Sequence, residues 1–413
     1  MRSFLSNSYN WRKAGRLLLL LLTVSNTLVI TGCWDSLEIE NRALILGMAI
    51  DEPPPEEDRT KDEVTYEVEE KPMKERYMIT AQIAVPGRVP LGPSSPGGGN
   101  EMKDSIWVVK VTGISLDDAL NNLQQQIADP KYLIHLRVIV ISEAIAKRGL
   151  ADLNDYLRRN AEVRRRTWML VSEGEAAKIM TLAPPLERIP TLYLLNMLEK
   201  AVSYGKFPLD YLGVFWSNDS KWGQDGYLPY ITPRGDDNVM IKGLAYFSNG
   251  VMVGKTNPIG IGAFMAAKGL SIGGYSIMTE APGIGHVMVQ TKERSSRIAV
   301  RIVDGLPAAK FSIHLEGTIT EHLEEPVDIH TSRQISIIQE NYNRHARGIV
   351  QKLIRDTQKQ HSDIFGLGEM VRAKYPSYWK EHVHSKRDWE RIYADIPVEV
   401  ELRMNIRQIG LKN

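Results

Sequence analysis

Apolar and polar positions repeat along this chain with two periods. Period two marks strands. Tyr77, Ile79, Ala81, Ile83 and Val85 share one face. Near the end, Val398, Val400, Leu402, Met404 and Ile406 alternate with Glu399, Glu401, Arg403, Asn405 and Arg407. One wet face of this kind is the habit of an antiparallel sheet. Shorter runs at 44–50, 107–112 and 167–172 read as strands, and the β-branched run 136–142 as a buried one. Period 3.6 marks helices. Ser115 is a plausible N-cap with Asp117 and Asp118 in the first turn, followed by Leu116, Ala119, Leu120, Leu123 and Ile127 on one face. Residues 150–160, 173–180 and 191–204 read as helices. The longest candidate spans 334–360, where Ile335, Ile338, Tyr342, Ala346, Ile349 and Leu353 recur every three or four residues. At ~1.5 Å per residue it would run about 40 Å, enough to cross a whole sheet.

The second half reads differently from the first. Ser248-Asn249-Gly250 sits between apolar runs at 239–247 and 251–253, and Asn-Gly is the strongest short hairpin signal. Residues 287–289, 298–303 and 308–321 read as strands, while the glycine-rich stretch 254–274 shows no clear period. Residues 217–237 are rich in Gly, Asp, Asn and Pro and mark a domain boundary at their end. Two more segments read as loops. Residues 51–74 are acidic and contain Pro53-Pro54-Pro55-Glu56-Glu57, and 86–103 hold Pro93, Pro96 and three consecutive glycines. The fold class expected is α+β and multi-domain: mixed and antiparallel sheets with packed helices, and one long helix in the C-terminal half. Residues 33–237 form an N-terminal domain of α/β character. Residues 238–413 form a C-terminal α+β domain, open to subdivision near 305.

The first 32 residues are set apart. Arg2, Arg12, Lys13 and Arg16 precede an apolar stretch, 17–30, interrupted by Thr23, Ser25, Asn26 and Thr27. It is too short and broken for a membrane span of ~20 apolar residues, and reads as a signal peptide. It ends in Ile30-Thr31-Gly32-Cys33, the pattern of a bacterial lipobox. The small residues let a peptidase reach the backbone, and the thiolate takes a diacylglycerol, whose two acyl chains hold a membrane firmly. Cys33 is the only cysteine, which excludes disulfides, a CxxC metal site and a catalytic thiol. Removal of 1–32 takes four basic residues and no acids, so the formal charge moves from +1 to −3. By charge, such a chain is expected neither to bind nucleic acid nor to carry a polybasic membrane-binding surface.

Candidate catalytic and cofactor motifs fail on spacing. Gly250 and Gly254 before Lys255-Thr256 enclose three residues where a phosphate loop needs four, inside an expected hairpin. Gly260-Ile261-Gly262 lacks the third glycine of a dinucleotide fingerprint. Ser203 and Lys206 have the spacing of a penicillin-interacting pair without its companion motifs. His382 and His384 would share a strand face, with His361 upstream, but Lys380, Glu381, Lys386 and Arg387 around them favour a solvated surface over a metal site. Arg158, Arg159, Arg164, Arg165 and Arg166 form a basic cluster. It is either a helix end with a solvated turn or a contact for anionic head groups or an acidic partner. No cofactor and no metal is implied.

Four sets of residues together resemble the Ger(x)C family, the lipoprotein subunits of spore germination receptors. The first is Gly32-Cys33-Trp34-Asp35, Leu37-Glu38-Ile39-Glu40-Asn41 and Ala49-Ile50-Asp51. The second is Leu157-Arg158-Arg159, Glu162, Arg164, Thr167 and Gly174-Glu175-Ala176. The third is Gly243-Leu244-Ala245-Tyr246-Phe247 with Val253-Gly254. The fourth is Asp363-Ile364-Phe365-Gly366-Leu367-Gly368, Tyr375-Pro376, Trp379, Trp389 and Ile409-Gly410. The resemblance implies a nutrient germinant receptor that assembles this lipoprotein with membrane-embedded A and B subunits, at the outer face of the spore inner membrane. It implies no catalytic residues. Only Cys33 carries over as a functional position, and Trp379 and Trp389 become packing residues. The acidic 51–74 stretch is longer than the family pattern leads one to expect. Two other classes compete: a solute-binding lipoprotein, which needs a cleft between two parallel-sheet lobes, and an anchored cell-wall or cortex hydrolase, which needs paired carboxylates or a metal.

Overall fold

The computed structural model describes residues 16–21, 41–55, 76–85, 105–182, 187, 189–235, 237–270, 273–323, 329 and 331–408. Residues 16–21 are helical and belong to a unit, Met1–Arg42, separate from the unit Ala43–Asn413. The expected lipobox with Cys33 lies outside the described residues, as do 56–74 of the acidic stretch and the glycine-bearing loop 86–103.

The larger unit contains two sheets. The first has nine strands: β1 (Ala43–Asp51), β2 (Tyr77–Ala84), β3 (Ile106–Gly113), β4 (Lys131–Tyr132), β5 (Val138–Ser142), β6 (Trp168–Ser172), β7 (Tyr227–Arg234), β8 (Asn238–Ser248) and β9 (Val251–Lys255). Its main order is β3-β2-β1-β5-β6-β7-β8-β9, with β4 beside β1. The centre, β1-β5-β6-β7, is parallel, and antiparallel partners flank it on both sides. Burial on both faces explains why β5 (Val-Ile-Val-Ile-Ser) shows no alternation. Ile139 and Ile141 face a core with α1 (Leu116–Gln126), α3 (Ala151–Arg159) and α5 (Leu212–Asp219), the short α2 (Glu143–Arg148) also packing there. Val138 and Val140 face a second core, against a 3₁₀ turn (Ala177–Thr181) and α4 (Pro190–Ser203). The expected boundary after residue 237 falls in the turn joining β7 to β8, and these two strands pair with each other.

The second sheet has the order β10 (Ser276–Ala281), β11 (Gly285–Val303), β12 (Leu306–His322) and β13 (Val398–Gln408). Helix α6 (Pro258–Lys268) precedes it. Between β12 and β13 come α7 (Ser332–Lys359), α8 (Leu367–Lys374), α9 (Pro376–His382) and α10 (Lys386–Asp395). Ile338, Tyr342, Ala346, Val350 and Leu353 of α7 meet Phe311, Ile313, Leu315, Val400, Leu402 and Met404 of the sheet. The long helix and the mixed α+β class are as expected.

The partner of β13 differs from expectation. Its alternating pattern pointed to an antiparallel neighbour, yet it runs parallel to β12. The four intervening helices carry the chain back to the end where β12 began, so β13 can only run alongside it. They also cover just one face, which is why a parallel strand here keeps a wet side. Its outer edge is occupied by helix side chains: Asn343 Oδ1 accepts from Met404 N–H at 2.7 Å and Gln339 Oε1 from Ile406 N–H at 2.9 Å. This covers two of the outward donors that make edge strands sticky.

Candidate functional site

Two buried carboxylates organise the segments singled out by sequence. The first is Asp51, at the end of β1. It is 3% exposed, and its Oδ1 and Oδ2 accept from Ala176 N–H and Ala177 N–H at 2.7 and 2.8 Å. It thereby caps the 3₁₀ turn, tying Ala49-Ile50-Asp51 to Gly174-Glu175-Ala176. Gln82 on β2 completes the clamp: its Nε2 donates to Met180 O at 2.8 Å and its Oε1 accepts from Thr191 Oγ1 at 2.6 Å. Burial pushes the Asp51 carboxyl up, and the two N–H bonds pull against that rise. Asp51→Ala strands both N–H groups. It is expected to cost about 2–3 kcal/mol, read as a lower urea midpoint with an unchanged denaturant slope.

The second centre is Asp363, fully buried between α7 and α8. Its Oδ1 accepts from Gly366 N–H at 2.8 Å, and its Oδ2 from Gly368 N–H at 2.9 Å and Trp389 Nε1–H at 3.0 Å. Burial outweighs these donors and pushes its carboxyl up to about 6. The Asp363 backbone exchanges two bonds with Asp225. Its N–H donates to Asp225 Oδ2 at 2.8 Å, and its carbonyl accepts from Asp225 N–H at 2.9 Å. Asp225 in turn pairs with Lys386 Nζ at 2.8 Å, and the same ammonium donates to Asp219 O at 2.8 Å. Burial raises the Asp225 carboxyl, and Lys386 is the first influence lowering it. Glu390 accepts from Ser248 Oγ and Asn249 Nδ2 at 2.9 and 3.0 Å, gripping the β8–β9 turn, while Ser362 Oγ donates to Phe247 O at 2.5 Å.

Glycines make the approach close enough. Gly366 has φ +74°, where a side chain is strained. A Cβ on Gly368 would fall 2.4 Å from Gly223 Cα and 2.4 Å from the Trp389 ring. Trp389 and Trp379 pack with ring centroids 5.4 Å apart in the surrounding core. Asp363 to Gly368 and Trp389, from the fourth set of sequence residues, therefore form one polar knot, which also holds residues 219–225 and the β8–β9 turn; Ile409-Gly410 of that set lies outside the described residues.

The remaining candidates scatter. Lys206 lies over the Tyr275 ring at 4.8 Å while Ser203 Oγ donates to Lys200 O, so that pair shares no site. Gly250 to Thr256 is hairpin turn and β9, as its pattern indicated. His382 ends α9 and stacks on Tyr378 at 4.2 Å, so it does not share a strand face with His384. The proline at N1 of α9 and the Ser385 cap of α10 impose helices there. Among the described residues no three His, Cys, Asp or Glu side chains gather into a metal-binding group. Spacing gave no warning of Asp225 or Lys386; each lies in a turn or at a helix start and meets its partner only through the fold.

The carboxylates of this knot face backbone N–H groups, an indole and a lysine rather than an open cleft, so the arrangement joins chain segments. Family comparison agrees with those segments. Residues 35–233 match the spore germination protein N-terminal domain, and residues 242–410 match the spore germination B3/GerAC-like C-terminal domain. The chain belongs to the Ger(x)C spore germination family. Similar proteins include the putative spore germination protein YfkR of Bacillus subtilis, 25% identical over 93% of this chain and 94% of that protein. Spore germination protein KC of the same organism is 23% identical over 96% of each chain. Spore germination protein GerQC of Bacillus cereus is 21% identical over 81% of this chain and 90% of that protein. The crystal structure of the GerBC protein shares the fold, with a TM-score of 0.54 over 80% of this chain and 93% of that chain, at 16% identity. In this Ger(x)C chain the two domain matches meet at the knot: Asp219 and Asp225 come from the first, Asp363, Lys386 and Glu390 from the second.

Proposed function

We propose that this protein is the lipoprotein subunit of a nutrient germinant receptor, required for germination and acting without catalysis of its own. The observation that carries the reading is the pair of family matches over 35–233 and 242–410, directly following the Ile30-Thr31-Gly32-Cys33 lipobox. Residues 1–32 are the signal peptide, and Cys33 carries a diacylglycerol. The mature chain sits on the outer face of the spore inner membrane, where it assembles with membrane-embedded A and B subunits and positions them. Residues 33–237 and 238–413 act as its two domains, the second divisible near 305. A lipid tether suits the described chain, none of whose helices is long and apolar enough to cross a membrane.

Cys33→Ala tests the reading directly. The variant is expected to lose lipid labelling and leave the membrane fraction, and spores carrying it should germinate poorly in response to nutrients. Unchanged labelling and membrane retention would overturn the assignment of the anchor. Normal germination in a strain lacking the whole gene and its paralogues would overturn the receptor role.

A further inference from the structure

The net charge of the chain hides a local concentration of cations on α7. From residue 344 to residue 359, every exposed position of this helix is basic, histidine or glycine: Arg344, His345, Arg347, Gly348, Lys352, Arg355 and Lys359. Arg344, Arg347, Arg355 and Lys359 recur at helical spacing on the side opposite Tyr342, Ala346, Val350 and Leu353, and that stripe is about 22 Å long at ~1.5 Å per residue. The one acid in this stretch, Asp356, is paired with Lys352. Arg347, Arg355 and Lys359 form no ion pair among the described residues. At the end of the helix the stripe widens into an open groove of about 590 Å³, where Arg355 and Lys359 stand beside His361, Asp395 and Arg391, the last paired with Asp388.

We propose that this face of α7 lies against an anionic lipid surface. A protein partner would need an apolar patch at the centre of its footprint, because interface cores are depleted of charge. The exposed positions of 344–359 offer none. A sheet of phosphate head groups needs only cations at separated positions, each adding roughly fivefold to the affinity. The arginine cluster seen in the sequence is a poorer fit. Arg158 and Arg166 lie over the rings of Trp216 and Tyr211, at 5.4 and 5.5 Å, and Arg159 is bound to Asp155. The proposal takes its setting from the membrane-anchored reading, but the contact itself does not depend on Cys33.

The test uses the full chain on vesicles of phosphatidylcholine, with and without phosphatidylglycerol. A fluorophore on Gln351→Cys, in the middle of the stripe, reports quenching by head-group nitroxide lipids, and peptide mapping scores any dye on Cys33 separately. Quenching is expected only with phosphatidylglycerol, and it should vanish in high salt. The variant Arg344→Gln/Arg347→Gln/Arg355→Gln/Lys359→Gln should lose it, with contact weakened more than about a hundredfold. All four side chains are exposed, so its thermal melt should match the parent. Should it misfold, Arg355→Gln/Lys359→Gln alone must still weaken quenching. Equal quenching on both lipids, or in the variants, overturns the proposal. So does a probe that stays unquenched on anionic vesicles and becomes covered only when membrane-protein partners are added, since the stripe then docks on protein. Vesicle retention in high salt separates the two readings. Retention without quenching leaves the anchor standing and removes the stripe; salt-labile attachment with quenching does the reverse.

Discussion

Asp363→Ala is expected to destabilise the protein by about 3–5 kcal/mol, because several buried donors lose their shared acceptor at once. Three donors, Gly366 N–H, Gly368 N–H and Trp389 Nε1–H, would be left in a dry interior with no acceptor. Each orphaned donor costs about 1–3 kcal/mol, and relief of the buried carboxyl offsets part of the sum. Asp363→Asn should be nearly as harmful. Whichever way the amide is turned, its NH₂ faces at least one N–H, because both carboxylate oxygens are acceptors here. Urea titration of both variants checks this. Loss of under about 1 kcal/mol would show that the knot does not hold the C-terminal helices to residues 219–225. The pH dependence has a definite sign. Asp363 titrates in the folded protein at about 6, above its ordinary value of 3.8. Its contribution to stability is therefore greatest below 3.8 and declines as pH rises toward 6.

The parts of this fold legible through their period were those whose burial is one-sided; β5 and β6, buried on both faces, were legible only as short apolar runs. Helix α7 could be read from Ile335 to Leu353 because one face meets a sheet and the other meets water. The edges of α1 were legible because Ser115 does what its position suggests, accepting from Asp118 N–H at 3.1 Å. Helix α6 escaped for the opposite reason. Ile261 and the whole run from Ala263 to Ala267 are buried, so no polar face exists to set a period. Its stop signals were present nonetheless: Asn257 caps it, Pro258 starts it and Gly269 ends it at φ +66°. Strand β7 escaped because Pro229 and Pro233 lie within it and its flanks are turn-rich. It pairs over most of its length only with β8, and with β6 only through Tyr230 and Ile231. Strand β11 looked like two fragments because bulges at Met288/Val289 and Thr291/Glu293 shift which residues face the core.

The site was legible to a different degree. The sequence pointed to Asp363, Gly366, Gly368, Trp379 and Trp389 through a family pattern, and to Asp51 in the same way. It could not point to their partners. Asp225 lies 138 residues from Asp363, and Lys386 lies 167 residues from Asp219. No local period encodes pairings at that range. They exist because the turn after α5 and the start of α10 are carried to the same place by two sheets and the helices between them.

Asp210→Asn should stabilise the protein, and by more the higher the pH. Asp210 follows α4 and is fully buried, and neither carboxylate oxygen has a hydrogen-bond partner among the described residues. Its titratable neighbour on β7 is Tyr227, itself fully buried; the Tyr227 hydroxyl is raised by burial first and by Asp210 second. Burial alone drives the Asp210 carboxyl well above its ordinary 3.8, since nothing opposes it. The folded protein therefore keeps this proton at pH values where the unfolded chain has released it. Below 3.8 both states are protonated and the group is neutral in its effect. Above 3.8 the unfolded state gains about 1.4 kcal/mol for every pH unit until the folded group also ionises. An asparagine is uncharged in both states and removes that slope. Asp51, Asp225, Asp363 and Glu390 are also raised by burial and add slopes of the same sign. The informative quantity is thus the difference between variant and parent. Urea midpoints measured from pH 4 upward should diverge steadily; curves that stay parallel would show that Asp210 is ionised in the folded protein and solvated by groups the packing does not supply.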